Sequence, residues 1–437
     1  MLRLAESHAN YSAPSVSNST ESTAQFFTAD SRRNQRPSRQ TESSNTLWET
    51  GAGSKSSGQS SPPSWHSEGS HSFKTSEESP DPATATRKRA PGPAQDLREL
   101  CSPLGFGVSM LKLDYPLPLL QPRSLLEAMT DLFACPELFV RIPASTRASE
   151  RMLQVLRWYM AGIYCIKKDD GVTKPFYPIL GEIFCCSWTM RRSDGPTDLV
   201  FFAEQVSVSS PVTCVYAEYR PSGISLMVQL RPEAFSVGSY LQLRARGKAS
   251  LYLVEYAEEY DVELPAGCVR DVNGKPWFEL CGTVTLSCRT TGFRAVIKFL
   301  AKPYQPEGHR HCVQIEVFNP VAPRPFLRIE GVWTECLIAT WASGERDMFL
   351  DCRLLNEERR APKPTSDSSM DSRRIWKDVK RALNKLNYDE AHRGMNLLAT
   401  TTLDRYYEPL MFKRTGNGYA FKHDIRDERS DPTSVGH

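Results

Sequence analysis

From about residue 184 to residue 350, apolar and polar side chains alternate with a period of two. Phe293, Ala295, Ile297 and Phe299 alternate with Arg294 and Lys298, and Val313, Ile315 and Val317 with Gln314 and Glu316. Leu327 and Ile329 alternate with Arg328 and Glu330, and similar short runs cover Leu199–Val206, Val212–Tyr219, Ile224–Leu230 and Leu251–Tyr256. A period of two places every second side chain on one face of a strand. Turn residues separate the runs at close intervals, so the pattern predicts an antiparallel meander and not a βαβ series. A sheet this long must curl or close, and a barrel of more than about ten strands can leave a cavity for a ligand.

Helical periodicity flanks this region. Ser124 with Glu127 three residues on reads as a capping box after Pro122, and Leu125, Leu126, Met129, Leu132 and Phe133 then fall on one helical face. A second helix is predicted from about Ser149 to Tyr164, with Met152, Val155, Leu156, Tyr159 and Ile163 as its apolar stripe. After the polar stretch Asn356–Ser372, the residues Ile375, Trp376, Val379, Ala382 and Leu383 mark a third helix, and Asp389–Tyr406 a fourth. A shorter amphipathic pattern, Leu97, Leu100, Cys101 and Leu104, is broken by Pro103 and Gly105. The chain therefore divides into a tail (1–95), a folded domain (96–427) and a loose end (428–437). Within the domain, 119–165 is expected to be helical, 166–355 to form the sheet and 372–427 to form a C-terminal helical part.

Composition narrows the function. Among 437 residues, 54 Lys and Arg face 51 Asp and Glu, so no global basic field exists to hold nucleic acid. No run of about 20 apolar residues predicts a membrane span. The N-terminus, MLRLAESHAN, lacks the apolar core of a signal peptide, which predicts a cytosolic chain with reduced thiols. Its 12 Cys include no C-x-x-C pair and are expected to be free and structural. Residues 1–95 hold 21 Ser and 9 Thr with few aliphatics, a composition that cannot offset chain entropy and predicts disorder. Arg87-Lys88-Arg89 at the tail's end reads as solvated linker charge, or as a nuclear address or membrane-facing patch. His309 and His311 would share a strand face beside Cys312, but no third ligand is evident and a hairpin loop is the simpler reading. No nucleophile elbow, P-loop or dinucleotide fingerprint precedes a helix, so nothing argues for an enzyme, a cofactor or a metal.

Four landmarks then carry a resemblance. In KPFYPILGE, the residues Lys174, Pro175, Pro178, Leu180, Gly181 and Glu182 resemble the KPxNPxLGE segment of oxysterol-binding-protein-related proteins. Glu204, Gln205, Val206 and Ser207 resemble the start of that family's EQVSHHPP fingerprint. The helix after Pro122, ending near ACPELF, and the segment SRRIWKDVKRAL resemble the family's first and C-terminal helices. The resemblance spans about 97–425. It implies a mainly β (α+β) fold: a large incomplete antiparallel β-barrel around a hydrophobic tunnel, with helices at both ends and residues 96–118 as an N-terminal lid. It also implies a carrier that takes sterol or another apolar lipid from one membrane and releases it into another. Lys174, Pro175, Tyr177, Glu204, Gln205, Val206 and Ser207 are then the lipid-binding candidates by resemblance. A sterol buries several hundred Å² of apolar surface, worth about 10 kcal/mol at ~25 cal/mol per Å², so escape through water is slow and a lidded apolar tunnel is an alternative solvent.

The departures matter equally. Where the fingerprint has His-His-Pro-Pro, this chain has Val208, Ser209, Ser210 and Pro211, and Tyr177 replaces the Asn of KPxN. The family's C-terminal K-x-x-x-E-x-x-x-R series falls at Met395, Ala399 and Leu403, with Arg393 and Arg405 nearby. Two lost hydrogen bonds to a charged phosphate would cost about 3–6 kcal/mol, so the expectation is weakened phosphatidylinositol 4-phosphate binding with the apolar tunnel kept. A partly filled tunnel, with Lys174 and Glu182 merely bracing the wall, stands against it. In the tail, Gln25-Phe26-Phe27-Thr28-Ala29-Asp30 resembles the FFAT motif that docks on VAP receptors of the endoplasmic reticulum. Its acidic fourth place is Thr28, where a phosphate would add about −1.5 to −2 charges. Two functions follow as expectations: a lipid carrier acting peripherally at endoplasmic reticulum or other membranes, or a non-transporting sensor or tether.

Overall fold

A computed structural model describes residues 116–428 apart from 167–171, 237–239, 273–274, 304–307, 402–406 and 417. The tail, most of the expected lid, the Phe26–Ala29 motif and the C-terminal end lie outside the described residues.

The alternating region forms one sheet of 14 strands. Two short strands precede it, β1 (Leu120–Ser124) and β2 (Lys174–Phe176), which pair in parallel. The sheet begins with β3 (Ile183–Met190), β4 (Thr197–Ser207), β5 (Val212–Tyr219), β6 (Ile224–Ser236) and β7 (Tyr240–Leu253). It continues through β8 (Glu258–Val262), β9 (Ala266–Val272), β10 (Lys275–Cys288), β11 (Arg294–Leu300) and β12 (Cys312–Phe318). The meander ends with β13 (Leu327–Val332), β14 (Cys336–Trp341) and β15 (Arg346–Asp351), and β16 (Lys363–Pro364) returns to pair with β3. Every pairing of strands in this sheet is antiparallel among the described residues, and neighbours in sequence are neighbours in space except that β8 and β9 share the gap between β7 and β10 and β16 lies beside β3.

The sheet curls because its inner face is apolar and a helix fills it. The helix Ala148–Ile166 buries Met152, Val155, Leu156, Trp158, Tyr159 and Ile163 in one core with residues of β3 to β8 and β10 to β15. Polar atoms tie the helix to distant parts of the wall: Arg157 donates to the Phe349 carbonyl at 3.1 Å, and Tyr159 to that of Glu263 at 2.9 Å. Arg151 bonds Glu258 at 2.9 Å in a fully buried pair. β15 and β16 stand at the two edges of the sheet and do not pair with each other, so the barrel is incomplete among the described residues. The alternation is seen directly in β11, where Ala295, Ile297 and Phe299 are buried and Arg294, Lys298 and Leu300 are exposed.

Other local features depart from the pattern-based reading. Ser124 caps the next helix through the Leu126 amide at 3.4 Å, but that helix lasts one turn (Leu125–Ala128) before tightening to a 3₁₀ segment, Met129–Phe133. Glu127 does not close the capping box; its carboxylate bonds Lys380 at 2.6 Å instead. The tertiary ion pair outcompetes the local cap. The helix around Trp376 is two pieces, Ser372–Ile375 and Lys377–Asn384. Two further strands, β17 (Phe412–Thr415) and β18 (Gly418–Phe421), form a hairpin near the C-terminus. Not all cysteines are free: antiparallel pairing of β9 with β10 brings Cys268 and Cys281 into a disulfide, with Cα atoms 6.5 Å apart.

Candidate functional site

Between the helix Ala148–Ile166 and strands β6 to β10 the packing stops short and leaves a cavity of about 310 Å³. That size falls in the range of small-molecule sites. Its walls are nearly all hydrocarbon. β6 supplies Leu226, Val228 and Leu230, β7 supplies Leu243 and Ala245, and β10 supplies Phe278 and Leu280. Trp158, Tyr159 and Ile163 close the helical side, and Leu125, Met129 and Leu132 come from the short helical turns before it. The spacing of two along β6 directs Leu226, Val228 and Leu230, and Pro232 after them, into one space.

The polar side chains on this wall include Lys174, Tyr177 and Arg244. Lys174 and Pro175 sit on β2, which the parallel pairing with β1 holds beside the cavity. Burial pushes the Lys174 amine down to about 8. Burial also raises the Tyr177 phenol, so its hydroxyl stays protonated, and that oxygen accepts a bond from Gln205 at 3.2 Å.

Of the seven residues proposed from sequence, then, Lys174, Pro175 and Tyr177 line the cavity and four do not. The Glu204 carboxylate is engaged by the C-terminal segment: it accepts from the Tyr407 hydroxyl at 2.6 Å and from the amides of Leu410 at 2.6 Å and Met411 at 2.8 Å. Gln205 is buried between Tyr177, the Thr213 hydroxyl at 2.6 Å and the Ser207 carbonyl at 2.7 Å. Val206 packs on the outer face of the sheet with Val212, Tyr216 and Phe412. Ser207 ends β4 opposite Val212, next to a register shift. Val208–Pro211 form the following turn, with Ser209 and Ser210 exposed.

A residue outside that set, Glu182, ties the segments around β2 together. Glu182 is fully buried and accepts from Ser372 at 2.6 Å, Trp376 at 2.9 Å and the Ile179 amide at 3.0 Å, and also from Ser124. Burial pushes its carboxyl up, opposed by these donors. The preceding Gly181 has φ of +78°, a left-handed turn that glycine adopts without strain, and its amide bonds the Gln205 carbonyl at 2.9 Å. The KPFYPILGE and EQVS segments are thus joined through main chain and side chain. The signal that could have found Glu182 was its place at the end of the first landmark. The apolar lining had no motif to mark it. His311 is buried edge-on to Trp333, with ring centroids 4.9 Å apart, at the start of β12.

Comparison with known proteins agrees with this architecture. The family model "Oxysterol-binding protein" matches residues 100–406. The chain belongs to the oxysterol-binding protein family. It is 32% identical over 312 residues to oxysterol-binding protein-related protein 9 of Xenopus tropicalis, covering 68% of this chain and 42% of that one. It is 26% identical to oxysterol-binding protein 4 of Dictyostelium discoideum over 368 residues, covering 78% of this chain and 77% of that one. The chain spans less than half the length of the first of these relatives. Among solved structures it is similar to the Osh1 ORD domain in complex with cholesterol (TM-score 0.61, 20% identity, covering 79% of this chain and 89% of that one). It is also similar to the Osh3 ORD in complex with PI(4)P from Saccharomyces cerevisiae (TM-score 0.58, 17% identity, covering 77% and 97%). These structural likenesses establish the fold.

Proposed function

We propose that this chain binds one sterol or another apolar lipid in the cavity and carries it between membranes. The observation that carries the reading is a hydrocarbon-walled space inside the curled sheet, bounded by Leu226, Val228, Leu230 and the helix Ala148–Ile166. Moving a sterol-sized apolar surface out of water gains about 10 kcal/mol at ~25 cal/mol per Å², and a walled cavity supplies that gain away from the bilayer. The family relationship and the folds of the lipid-bound neighbours support the same cargo class. No step of covalent chemistry is required. The test is to incubate the purified protein with mixed liposomes, re-isolate it and identify co-purified lipid by mass spectrometry. A stoichiometric sterol or other apolar lipid is expected; no enriched lipid would refute the proposal. Capture without transfer to acceptor vesicles would favour a sensor or tether.

On this reading the phosphoinositide headgroup site is degraded. Val208, Ser209, Ser210 and Pro211 bring no imidazole to the β4–β5 turn, and weak extraction of phosphatidylinositol 4-phosphate is expected. Efficient, selective extraction of that lipid would overturn it. The Phe26–Ala29 segment is proposed to dock on VAP, placing the chain peripherally at the endoplasmic reticulum. A peptide phosphorylated at Thr28 that fails to bind VAP would remove that part.

A further inference from the structure

A second concave site lies at the opposite end of β3 from Lys174 and Glu182. β3 runs eight residues from Ile183 to Met190, roughly 23 Å at ~3.3 Å per residue. At its far end a cleft of about 570 Å³ is lined by Arg141, Arg191, Arg192 and Arg360 with Glu137 and Tyr219 among its other walls. It shares no lining residue with the apolar cavity.

The four arginines are not equivalent. Arg360 is held from several sides: it bonds the Glu137 carboxylate and the Thr189 carbonyl, each at 2.5 Å, and its amide donates to the Ala134 carbonyl at 2.8 Å. Arg192 is paired with Asp194 at 2.9 Å. Arg141 and Arg191 are exposed on the rim and have no ion pair among the described residues. Arg141 follows the helix Pro136–Val140, and Arg191 follows β3, so both are anchored on regular elements. Two guanidinium groups without an ion pair among the described residues therefore line a cleft whose other two, Arg192 and Arg360, are already paired with carboxylates. Planar guanidinium forks match the oxygens of a phosphate, which can accept two parallel bonds from each. The chain's net charge of only +3 makes this concentration local, not part of a general basic surface.

We infer that this cleft binds a phosphomonoester, either as a free anion or as the headgroup of a membrane lipid, at a site separate from the apolar cavity. The experiment compares the full chain with the double variant R141A/R191A. Inorganic phosphate is titrated by calorimetry, and flotation is measured on phosphatidylcholine vesicles containing phosphatidic acid or, at equal surface charge, phosphatidylserine. Phosphate binding weakened roughly tenfold or more in the variant identifies a soluble ligand, since each charged bond is strong. Flotation with phosphatidic acid in excess of phosphatidylserine, lost in the variant without phosphate binding, identifies a lipid headgroup. Equal behaviour of variant and parent in both arms overturns the inference; so does equal flotation on the two anionic lipids where phosphate binding is not weakened in the variant. Sterol capture, measured in parallel, should be unchanged in R141A/R191A, so failure here is distinguishable from failure of the carrier reading.

Discussion

Trp376 donates its indole N–H to the Glu182 carboxylate at 2.9 Å, across 194 residues of sequence. The last residue of the KPFYPILGE landmark and the tryptophan of the C-terminal helix are thus one buried contact. The two oxygens of Glu182 also serve Ser124, Ser372 and the Ile179 amide, so one carboxylate ties β1, the turn before β3 and the C-terminal helices together. The helix Lys377–Asn384 then packs Val379, Ala382 and Leu383 with Leu120 of β1 and Phe176 of β2, the strand that carries Lys174.

Removing this hub should be severe. Glu182→Ala strands several buried donors, each costing about 1–3 kcal/mol when unsatisfied. A loss of about 3–5 kcal/mol is expected by urea denaturation, comparable with breaking a buried ionic site. Glu182→Gln keeps the shape and an acceptor oxygen and should cost less. A Glu182→Ala change within about 0.5 kcal/mol of the parent, the size of an ordinary surface substitution, would show that the contact is incidental.

Glu204 predicts a different outcome. Its oxygens cap the amides of Leu410 and Met411, which lead into the β17–β18 hairpin. That hairpin covers the outside of the sheet, where Phe421 stacks on Tyr216 with centroids 4.1 Å apart. In Glu204→Ala, hydrogen exchange at residues 410–411 should accelerate at least tenfold, about 1.4 kcal/mol of local protection. Lipid capture should fall far less. A primary loss of capture with exchange unchanged would return Glu204 to the ligand.

How much of this was legible follows from what each signal requires. The sheet was readable because its strands are buried on one face, so Ala295, Ile297 and Phe299 stand out against Arg294 and Lys298. The long helix was readable for the same reason at a period of 3.6. The β17–β18 hairpin was not, because four-residue strands carry too few alternations to register. Glu204 and Gln205 read as ligand contacts because the landmark they belong to is associated with lipid. Their bonds to Met411 and Thr213 depend on chain segments far away, or across a bulge, that no local pattern displays. Leu226, Val228 and Leu230 look like any core strand; that they face space depends on how closely a distant helix approaches.

Lys174 gives a pH dependence with a definite sign. Its amine titrates near 8 in the folded chain, against 10.5 for an ordinary lysine. Between those values the unfolded chain binds more protons, so this group makes folding more favourable as pH rises through that window. Below pH 8 the desolvation cost is fully present. The melting temperature of Lys174→Met should therefore exceed that of the parent most at pH 7, with the gap closing toward pH 10. A gap independent of pH would mean that Lys174 is as well solvated folded as unfolded.

The cavity itself can be filled. Leu243 on β7 projects into it and is only partly buried, so an indole there has room that a packed core would deny. Overpacking a full core costs about 1–3 kcal/mol, whereas occupying a void costs less or stabilises. Leu243→Trp should keep the melting temperature within a few degrees of the parent, about 1 kcal/mol or less. Sterol capture from liposomes should nevertheless drop by about tenfold or more, because the hydrocarbon that gained from burial no longer fits. The paired readout separates exclusion from misfolding: lost stability with lost capture says only that the strand was disturbed. Undiminished capture in a stable Leu243→Trp protein would place the lipid somewhere other than between β7 and the helix Ala148–Ile166.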